Sequence, residues 1–338
     1  MISSSNHMPS GEKKSAQRSS EAEKKIVLAH FSDPHIACLG PVKKRDLLNK
    51  RLLGYLRWRW FRKRVHQDEI LSILQKDLKS TRPDHIIVTG DLTHLGLPAE
   101  FQKAQIWLQS LGTPAQVTIV PGNHDNYVRS NWNQTFAWWL DYMISDRPDQ
   151  QGTPVSGFED LFPTLRVRGP IALIGVCSAR PSAPPLAIGT VGKVQLNKLE
   201  RFLTQTARQG LFRIVAIHHP PLTGLESWRR RLTDAHSLWK LVERCGAELI
   251  LHGHVHRAFH CRFNTPSPIT VVGATSASSS SLKYDRRACY YVYTLMASEN
   301  AWDVHMAQRV YCPEARAFLP GMEERYCLRP HGIEKAMS

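Results

Sequence analysis

An α/β fold is predicted from three features of the sequence. Eight short apolar runs rich in β-branched residues recur along the chain, from "KIVLAHFSD" (25–33) to "CYYVYTL" (289–295). Four segments with a helical spacing of apolar residues lie between these runs. The 338 residues are 42 % hydrophobic, which is enough for a full core. Short apolar runs of this kind are typical of buried strands. Because they alternate with helices, we expect an α/β architecture.

The predicted elements follow one another along most of the chain. Strands are predicted at 25–33, 85–91, 115–125, 171–178, 212–221, 247–256, 269–275 and 289–295. Helices are predicted at 68–80, 99–112, 195–210 and 234–246, and three of these four run into a glycine, which is a common helix end. "SASSSS" (276–281) is predicted to be a loop. Residues 1–25, rich in Ser, Lys and Glu, are predicted to be a disordered tail, and 311–338, which lacks clear periodicity, a C-terminal extension.

Cysteine usage and terminal composition indicate a cytoplasmic protein. Seven cysteines are scattered along the chain without a C-x-x-C pair, a pattern that favours a reducing compartment over a disulfide framework. The polar amino-terminal residues contain no apolar core of a signal peptide. No stretch approaches the roughly 18 apolar residues of a membrane span. We therefore expect a cytoplasmic location.

Candidate metal ligands end five of the apolar runs. The runs end in "FSDPH", "TGD", "PGNHD", "AIHHPP" and "HGHVH". Sites in α/β sheets form in the crevice beyond the carboxyl ends of strands, so these side chains are expected to converge. Oxygen and imidazole ligands without thiolate suit Mn, Fe or Zn and argue against a structural zinc site.

The motifs resemble, in order, those of the calcineurin-like metallophosphoesterases. They are D-x-H (33–35), G-D (90–91), G-N-H-D (122–125), H-x-P (218–220) and G-H-x-H (253–256). The resemblance implies a four-layer α/β/β/α sandwich over 26–310 that binds two divalent transition metal ions, Mn, Fe or Zn. It also implies the metal ligands. Asp33, His35 and His256 would hold the first ion, Asn123, His218 and His254 the second, and Asp91 would bridge both.

The same resemblance implies the chemistry. His124 would contact the phosphate and protonate the leaving oxygen, and Asn123 and Asp125 would share the catalytic motif, with Asp125 as an orienting partner. The nucleophile would be a hydroxide bridging the two metal ions, as in binuclear hydrolases. A non-enzymatic scaffold of the family would lack ligands, whereas this chain retains all of them. No G-x-S-x-G or P-loop motif offers another mechanism.

Three further histidines lie near these motifs. His219 and His252 fall outside the ligand pattern, and we expect them to orient ligands or to pack in the core. His94, three residues after Asp91, either faces the cleft or lies in a surface loop.

A basic aromatic insert (40–66) separates the first two motifs. Residues 43–64, "KKRDLLNKRLLGYLRWRWFRKR", hold ten Lys/Arg and a single Asp, a local charge of +9 out of the total of +15. As a helix, this segment would place Leu48, Leu52, Tyr55 and Leu56 on one face, with Gly54 as a weak point. It is interpreted as a packed basic helix, as a cap that binds an amphipathic substrate or the anionic inner face of a membrane, or as a nucleic-acid site, which is the least favoured.

The sequence does not decide the substrate, because the motifs and the insert resemble different branches of the family. "GDLTHLG" and "HHPP" are similar to the phosphodiesterase branch of the family, which includes cyclic-nucleotide and glycerophosphodiester enzymes. The insert is similar in strategy to the cap of the UDP-2,3-diacylglucosamine pyrophosphatases of lipid A synthesis, which act at a membrane surface. We expect a metal-dependent phosphodiesterase for a small-molecule or lipid-linked phosphoester, with that pyrophosphatase or a nuclease of the family as the alternatives.

Overall fold

The fold is described from a computed structural model, which covers residues 25–36, 50–60, 66–146, 155–265, 267–298 and 301–328. The strands are β1 (Lys25–Phe31), β2 (His85–Val88), β3 (Val117–Ile119), β4 (Thr164–Arg168), β5 (Ile171–Val176), β6 (Phe212–Ile217), β7 (Leu249–His252), β8 (Phe259–Phe263), β9 (Ile269–Gly273), β10 (Cys289–Ser298), β11 (Ala301–Cys312) and β12 (Ala317–Leu328). The helices are α1 (Arg51–Trp60), α2 (Asp68–Thr81), α3 (Pro98–Leu111), α4 (Leu140–Met143), α5 (Phe158–Leu161), α6 (Lys193–Arg208) and α7 (Ala235–Cys245). All eight predicted strands and all four predicted helices are present.

The strands form two six-stranded mixed sheets. The first has the order β12-β11-β10-β1-β2-β3, and the second has the order β4-β5-β6-β7-β9-β8. The strands that precede the predicted ligands belong to a parallel set in each sheet. These sets are β1-β2-β3 in the first sheet and β5-β6-β7-β9 in the second. Their carboxyl ends therefore lie at the same edge of each sheet, where sites of α/β proteins form.

Side-chain alternation in the second sheet shows how the layers pack. Leu173 and Ile214 share a core with the first sheet and with α2 and α3. Their neighbours Ile174 and Val215 point to the opposite face and pack in a separate core with α6 and α7. Since successive residues of a strand face opposite sides, the second sheet is covered on both faces. The arrangement confirms the predicted α/β/β/α sandwich.

The predicted C-terminal extension contributes a strand to the first sheet. β12 pairs with β11 from Trp302↔Leu328 to Cys312↔Ala317. The extension, whose sequence lacks clear periodicity, therefore contains a regular strand at 317–328. β12 is an edge strand with few buried side chains, and "MEER" in its middle conceals the alternation.

The basic insert is described only at 50–60 and at His66, and the predicted tail 1–24 lies outside the described residues, as does Leu48. A helix is present in the insert, but its packed face differs from the prediction, since Leu52 and Leu56 are 45 % and 43 % exposed. Among the described helices, none is long and apolar enough to cross a bilayer.

Candidate metal centre

Two groups of candidate ligands meet beyond the strand ends and share one residue. The first contains Asp33, His35, Asp91 and His256, and the second contains Asp91, His218 and His254. Within each group, one potential ligand atom of every residue lies within 4.8 Å of the others. The structure thus brings together the residues expected at each ion, with Asp91 common to both groups. We call these the first and the second cluster.

A hydrogen bond to the main chain fixes the orientation of the His35 imidazole in the first cluster. His35 Nδ1 donates to the main-chain carbonyl of Thr93 at 3.2 Å, so its Nε2 carries the lone pair. This Nε2 lies 3.1 Å from His256 Nε2, which in turn lies 3.0 Å from Asp33 Oδ1. Imidazole lone pairs and a carboxylate repel one another at these distances. A cation that they ligate together would remove this repulsion.

The second cluster is built in the same way. His218 Nδ1 donates to the carbonyl of Thr89 at 2.7 Å, which leaves Nε2 to face Asn123 Oδ1 at 3.1 Å and His254 Nδ1 at 3.3 Å. His254 donates its other nitrogen, Nε2, to the carbonyl of Arg230 at 2.9 Å. Asn123, predicted as an oxygen ligand, therefore lies at this cluster through its amide oxygen.

Backbone strain coincides with the clusters. Asp33, His35, Asp91, His254 and His256 all have positive φ, between 47° and 68°, which non-glycine residues rarely adopt. Such strain persists where the surrounding structure demands it, and it is concentrated at functional sites.

Two glycines allow the ligand loops to approach one another. A Cβ at Gly122 would collide with the carboxylate and main chain of Asp91, and one at Gly253 would collide with Ser32 and Asp33. Glycine is therefore required in the G-N-H-D and G-H-x-H motifs.

The charges of the clusters match ligands ready to bind a cation. Burial lowers the pKa of His35 and of His254 well below its ordinary value, so both imidazoles are neutral. Burial alone would raise the pKa of Asp33, but the adjacent His256 holds it well below its ordinary value. Burial also opposes protonation of His218, yet the Asp91 carboxylate raises its pKa to about 9, so a cation bound here would replace the proton of His218. The carboxylates of Asp33 and Asp91 thus stabilise positive charge at the site.

His124 lies at the mouth of the site beside the clusters. Its main-chain N–H donates to Asp91 Oδ1 at 2.7 Å, and its Nδ1 donates to the carbonyl of His94 at 2.6 Å. The ring stacks between His94 and Tyr127, with centroid distances of 5.4 and 5.5 Å. His124 and Asn123 both line a cavity of about 230 Å³ that reaches Asp91, His254 and His256.

Asp125, predicted as the orienting partner within the catalytic motif, bonds to two neighbouring loops. One carboxylate oxygen accepts hydrogen bonds from the N–H and hydroxyl of Thr93 at 2.8 and 3.0 Å, and the other accepts from the N–H of Gly122 at 2.9 Å. Burial and the nearby Asp91 raise the pKa of Asp125 to about 7. Because both carboxylate oxygens are directed to these groups, the geometry agrees with an orienting place for Asp125.

The three remaining predicted histidines are all buried. His94 lines the cavity, so the surface-loop alternative is wrong. His219 hydrogen-bonds to Ser178 Oγ and lies against the rings of His218 and His254, at 5.1 and 4.3 Å. His252 packs on Phe259, and its Nδ1 donates to the carbonyl of Gly253. The geometry agrees with an orienting place for His219 and a packing place for His252.

Helix α1 forms one wall of the cavity. Lys50 Nζ donates to the carbonyl of Leu186 at 2.8 Å and to Ser182 Oγ at 3.1 Å, and burial lowers its pKa to about 8. Arg51, 8 % exposed, donates to the carbonyls of residues 95 and 96 at 2.9 and 2.5 Å. The predicted weak point, Gly54, is a contact, since a Cβ there would collide with Leu95 and with the hydroxyl of Tyr127. The start of the helix and the preceding Lys50 therefore contact two loops, one at 95–96 and one at 182–186.

Sequence reasoning missed several residues of the site. His66 lies beside His35, and Lys50, Tyr127 and Arg230 line the cavity. Lys50 and His66 lie in the predicted insert, but, like Tyr127 and Arg230, neither belongs to a motif that would identify it individually.

Comparison with known proteins identifies the fold and its relatives. Residues 26–258 match the family model described as calcineurin-like phosphoesterase. The chain is 28 % identical to a cAMP/cGMP dual specificity phosphodiesterase of Mycobacterium tuberculosis, over 74 % of this chain and 67 % of that protein. It is 26 % identical to a 3',5'-cyclic-nucleotide phosphodiesterase of Nostoc, over 58 % of this chain and 65 % of that one. The match thus spans about two thirds of these two relatives.

Two further comparisons concern a third phosphodiesterase and a solved structure. The chain is 24 % identical to a probable glycerophosphodiester phosphodiesterase of Arcobacter nitrofigilis, over 66 % of this chain and 75 % of that protein. A solved dimetal phosphatase from Danio rerio superposes with a TM-score of 0.53 over 90 % of this chain and 99 % of that chain, at 14 % identity. This last similarity concerns the fold alone.

Proposed function

Because the chain belongs to the calcineurin-like phosphoesterase family, whose members are metal-dependent hydrolases, we propose that it hydrolyses phosphodiester bonds with two divalent cations. One observation carries this proposal. Asp91 belongs to both ligand clusters, so its carboxylate can join two cations side by side. The names of the relatives, which are cyclic-nucleotide and glycerophosphodiester phosphodiesterases, support the reaction class.

The donor set suits two transition metal ions. Asp33, His35 and His256 would hold the first ion, and Asn123, His218 and His254 the second, with Asp91 between them. Imidazole nitrogens and oxygens without thiolate favour Mn, Fe or Zn. When bound, such ions supply positive charge to the phosphoryl oxygens and lower the pKa of water.

His124 is placed to act on the leaving group. Its Nδ1–H is held by the carbonyl of His94, so its Nε2 is the nitrogen available to the cavity. A protonated Nε2 can give its proton to the leaving oxygen as negative charge develops there. Loop 122–125, fixed by Asp125, holds this ring in place.

The cavity favours a small substrate. Its volume of about 230 Å³ is at or below the lower end of the roughly 300–1,000 Å³ range of small-molecule sites. α1 closes one side, and Lys50 and Arg230 add positive charge to a lining that also includes Leu53, Tyr127 and Leu186. We therefore favour a small phosphodiester that carries an apolar or aromatic group.

A lipid-linked substrate at a membrane surface is the second candidate. Leu52, Leu53 and Leu56 of α1 are 45 %, 59 % and 43 % exposed, and the segment 43–64 that contains them has a charge of +9. An exposed apolar face within a basic segment is typical of interfacial helices. This placement supports an acyl-bearing phosphoester, as a pyrophosphatase of lipid A synthesis would use, with the protein peripheral on an anionic inner membrane face. No contact among the described residues specifically favours the nuclease alternative.

A substrate panel with the Mn-loaded protein tests these proposals. It contains bis(p-nitrophenyl) phosphate, 3',5'-cAMP, a glycerophosphodiester, UDP-2,3-diacylglucosamine and single-stranded DNA. Hydrolysis of the small diesters that chelation abolishes and Mn restores supports the phosphodiesterase. If the chelated and Mn-loaded proteins are equally inactive on every substrate, the proposal is wrong.

The membrane candidate has its own test on the same helix. Changing Leu52 and Leu56, which lie outside the cavity lining, together to Ser should reduce sedimentation with anionic vesicles and hydrolysis of the lipid-linked substrate, while small diesters are still hydrolysed. A wild-type protein that does not sediment with anionic vesicles excludes the membrane candidate.

A further inference from the structure

His66 lies beside the first cluster, although it belongs to none of the five motifs. One nitrogen of its ring lies within 4.8 Å of a nitrogen of His35 and of His256. The ring centroid of His66 is 4.6 Å from that of His35 and 5.8 Å from that of His256. Three imidazoles from three distant segments of the chain therefore meet at one edge of the cluster.

The hydrogen bonds of Ser276 indicate which nitrogen of His66 carries the proton. Ser276 Oγ donates its hydrogen to the carbonyl of Asp33 at 2.6 Å. His66 Nδ1 lies 3.2 Å from the same Oγ and 2.9 Å from Ser278 Oγ. Because the hydroxyl hydrogen of Ser276 is directed to Asp33, a hydrogen bond between His66 and Ser276 has Nδ1 as its donor, and the same Nδ1–H can be shared with Ser278 Oγ. Nδ1 is then the protonated nitrogen, and Nε2 carries the lone pair.

This is the same arrangement that prepares the predicted ligands. His35 and His218 also donate from Nδ1 to an oxygen of the protein and direct Nε2 to their clusters. A neutral imidazole in this tautomer offers a lone pair to a metal ion, whereas a phosphoryl oxygen requires a hydrogen-bond donor. The chemistry of His66 therefore matches a metal better than a substrate phosphate.

The backbone around His66 is attached to the same part of the site. The N–H of Gln67 donates to the carbonyl of Ser278 at 3.0 Å, and His66 forms an isolated β-bridge with Ser279. The loop 276–279 in turn bonds to Asp33 through Ser276. His66 is thus held against the backbone of a predicted ligand from both its main chain and its side chain.

We propose that His66 is an additional metal ligand, which gives its Nε2 to the cation held by His35 and His256. The proposal rests on the proposed two-metal function. It extends the ligand set of the first cluster to the last residue of the basic insert, so that the end of the insert is joined to the metal centre.

Metal binding without substrate tests this assignment. The chelated protein is titrated with Co²⁺, and the visible absorption of Co²⁺ and the metal content are measured for the wild type, His66→Ala and His66→Gln. His305→Ala is the matched control, because His305 pairs with Glu323 on the β11–β12 hairpin, outside both clusters. We expect two ions in the wild type. In both His66 variants one site should weaken by at least the roughly 10–100-fold that loss of a metal-orienting partner costs, with a changed Co²⁺ spectrum.

The outcomes separate the ligand assignment from the catalytic proposal. Unchanged Co²⁺ affinity and spectrum in both His66 variants would show that His66 is not a ligand. If circular dichroism shows that His66→Ala does not fold, His66→Gln, which keeps a side chain in the space, decides the question. Two bound ions without hydrolysis of any phosphodiester would refute the phosphodiesterase, while the ligand assignment would still be decided by the titration.

Discussion

The main-chain carbonyl of His94 accepts a hydrogen bond from His124 Nδ1 at 2.6 Å, so the loop 94–97 sets the orientation of the His124 ring. Glu100 holds this loop from the inside, where its carboxylate accepts two 2.9 Å bonds from main-chain N–H groups of the loop. Arg51 holds it from the side of the insert by donating to two of its carbonyls. The position of a proposed catalytic side chain thus depends on both the core and the insert.

Replacing His124 with Ala should lower the rate without removing the metal. Its side chain meets those of His35 and His94 but belongs to neither the first nor the second cluster, so the ions should stay, whereas the acid or charge-stabilising group is lost. We expect kcat to fall by about 10²–10⁴-fold. Metal content and steady-state kinetics on diesters with good and poor leaving groups measure both effects.

The leaving group distinguishes the two roles of His124. A smaller loss for good leaving groups indicates proton donation, since a good leaving group needs less protonation. Equal losses would indicate charge stabilisation alone. Loss of metal in the His124→Ala protein would contradict both roles and place His124 among the ligands.

Arg51→Met should impair catalysis through the loop that it holds. The variant keeps an alkyl chain but removes both hydrogen bonds to the carbonyls of the loop, so the His94 carbonyl and the His124 ring lose a fixed position. Since a displacement of about 1 Å can cost about 10²-fold, kcat should fall by up to that factor with the metal content unchanged. Kinetics and metal analysis of the same preparation provide the measurement.

Two variants on the same helix control this experiment. Arg51→Lys can restore part of the bonding but lacks the planar fork of arginine, so we expect partial rescue of kcat. Leu52→Ala changes an exposed neighbour outside the cavity lining and should leave kcat unchanged. If Leu52→Ala lowers kcat as much as Arg51→Met, the effect belongs to the helix as a whole and not to the bonds of Arg51.

The clustering of the candidate ligands could be predicted from the sequence because these residues follow strands. Period-two strands and the rule that sites form at their carboxyl ends bring Asp33, Asp91 and His218 together without knowledge of any contact. His66 could not be found in this way, because the fold brings it to His35 from an unrelated segment. The positive φ of the ligands is likewise a consequence of tertiary structure that local propensity does not predict.

The insert and the final strand were harder to predict for opposite reasons. In α1 the apolar stripe suggested the packed face, but the helix packs through Arg51 and Gly54. Arg51 hydrogen-bonds to a loop carbonyl, and Gly54 allows a close approach to Leu95 and Tyr127. In β12 the strand is at an edge and bears charges, so hydrophobic periodicity is weak although the backbone pairing with β11 is extensive.

Asp91→Ala should remove most metal from both clusters. Asp91 is the residue that the two groups share, so its carboxylate would serve both ions. Asp33→Ala is the matched comparison, because Asp33 occurs in the first group alone. We expect near-complete loss of metal in the first variant and about one remaining ion in the second, measured by elemental analysis after gel filtration. Two ions retained by Asp91→Ala would show that it does not bridge.

Glu100 should make the stability of the fold depend on pH. Burial raises its pKa from the ordinary value of 4.5 to about 7, against the opposing hydrogen bonds of the loop. Between these two values the folded chain binds more protons than the unfolded chain, so the free energy of unfolding falls as pH rises. The contribution is fully present below about pH 4.5 and is lost as pH rises through about 7.

Glu100→Gln isolates this effect. The amide does not ionise, so the difference in unfolding free energy between wild type and variant should shift against the wild type from pH 5 to pH 8. Denaturant unfolding of the metal-free proteins at several pH values measures it, since metal binding would add its own pH dependence. Glu200→Gln on α6, where Glu200 pairs with Arg244 at a partly exposed site, is the control and should follow the wild type. A constant difference between wild type and Glu100→Gln across this range would mean that Glu100 titrates alike in the folded and unfolded chains.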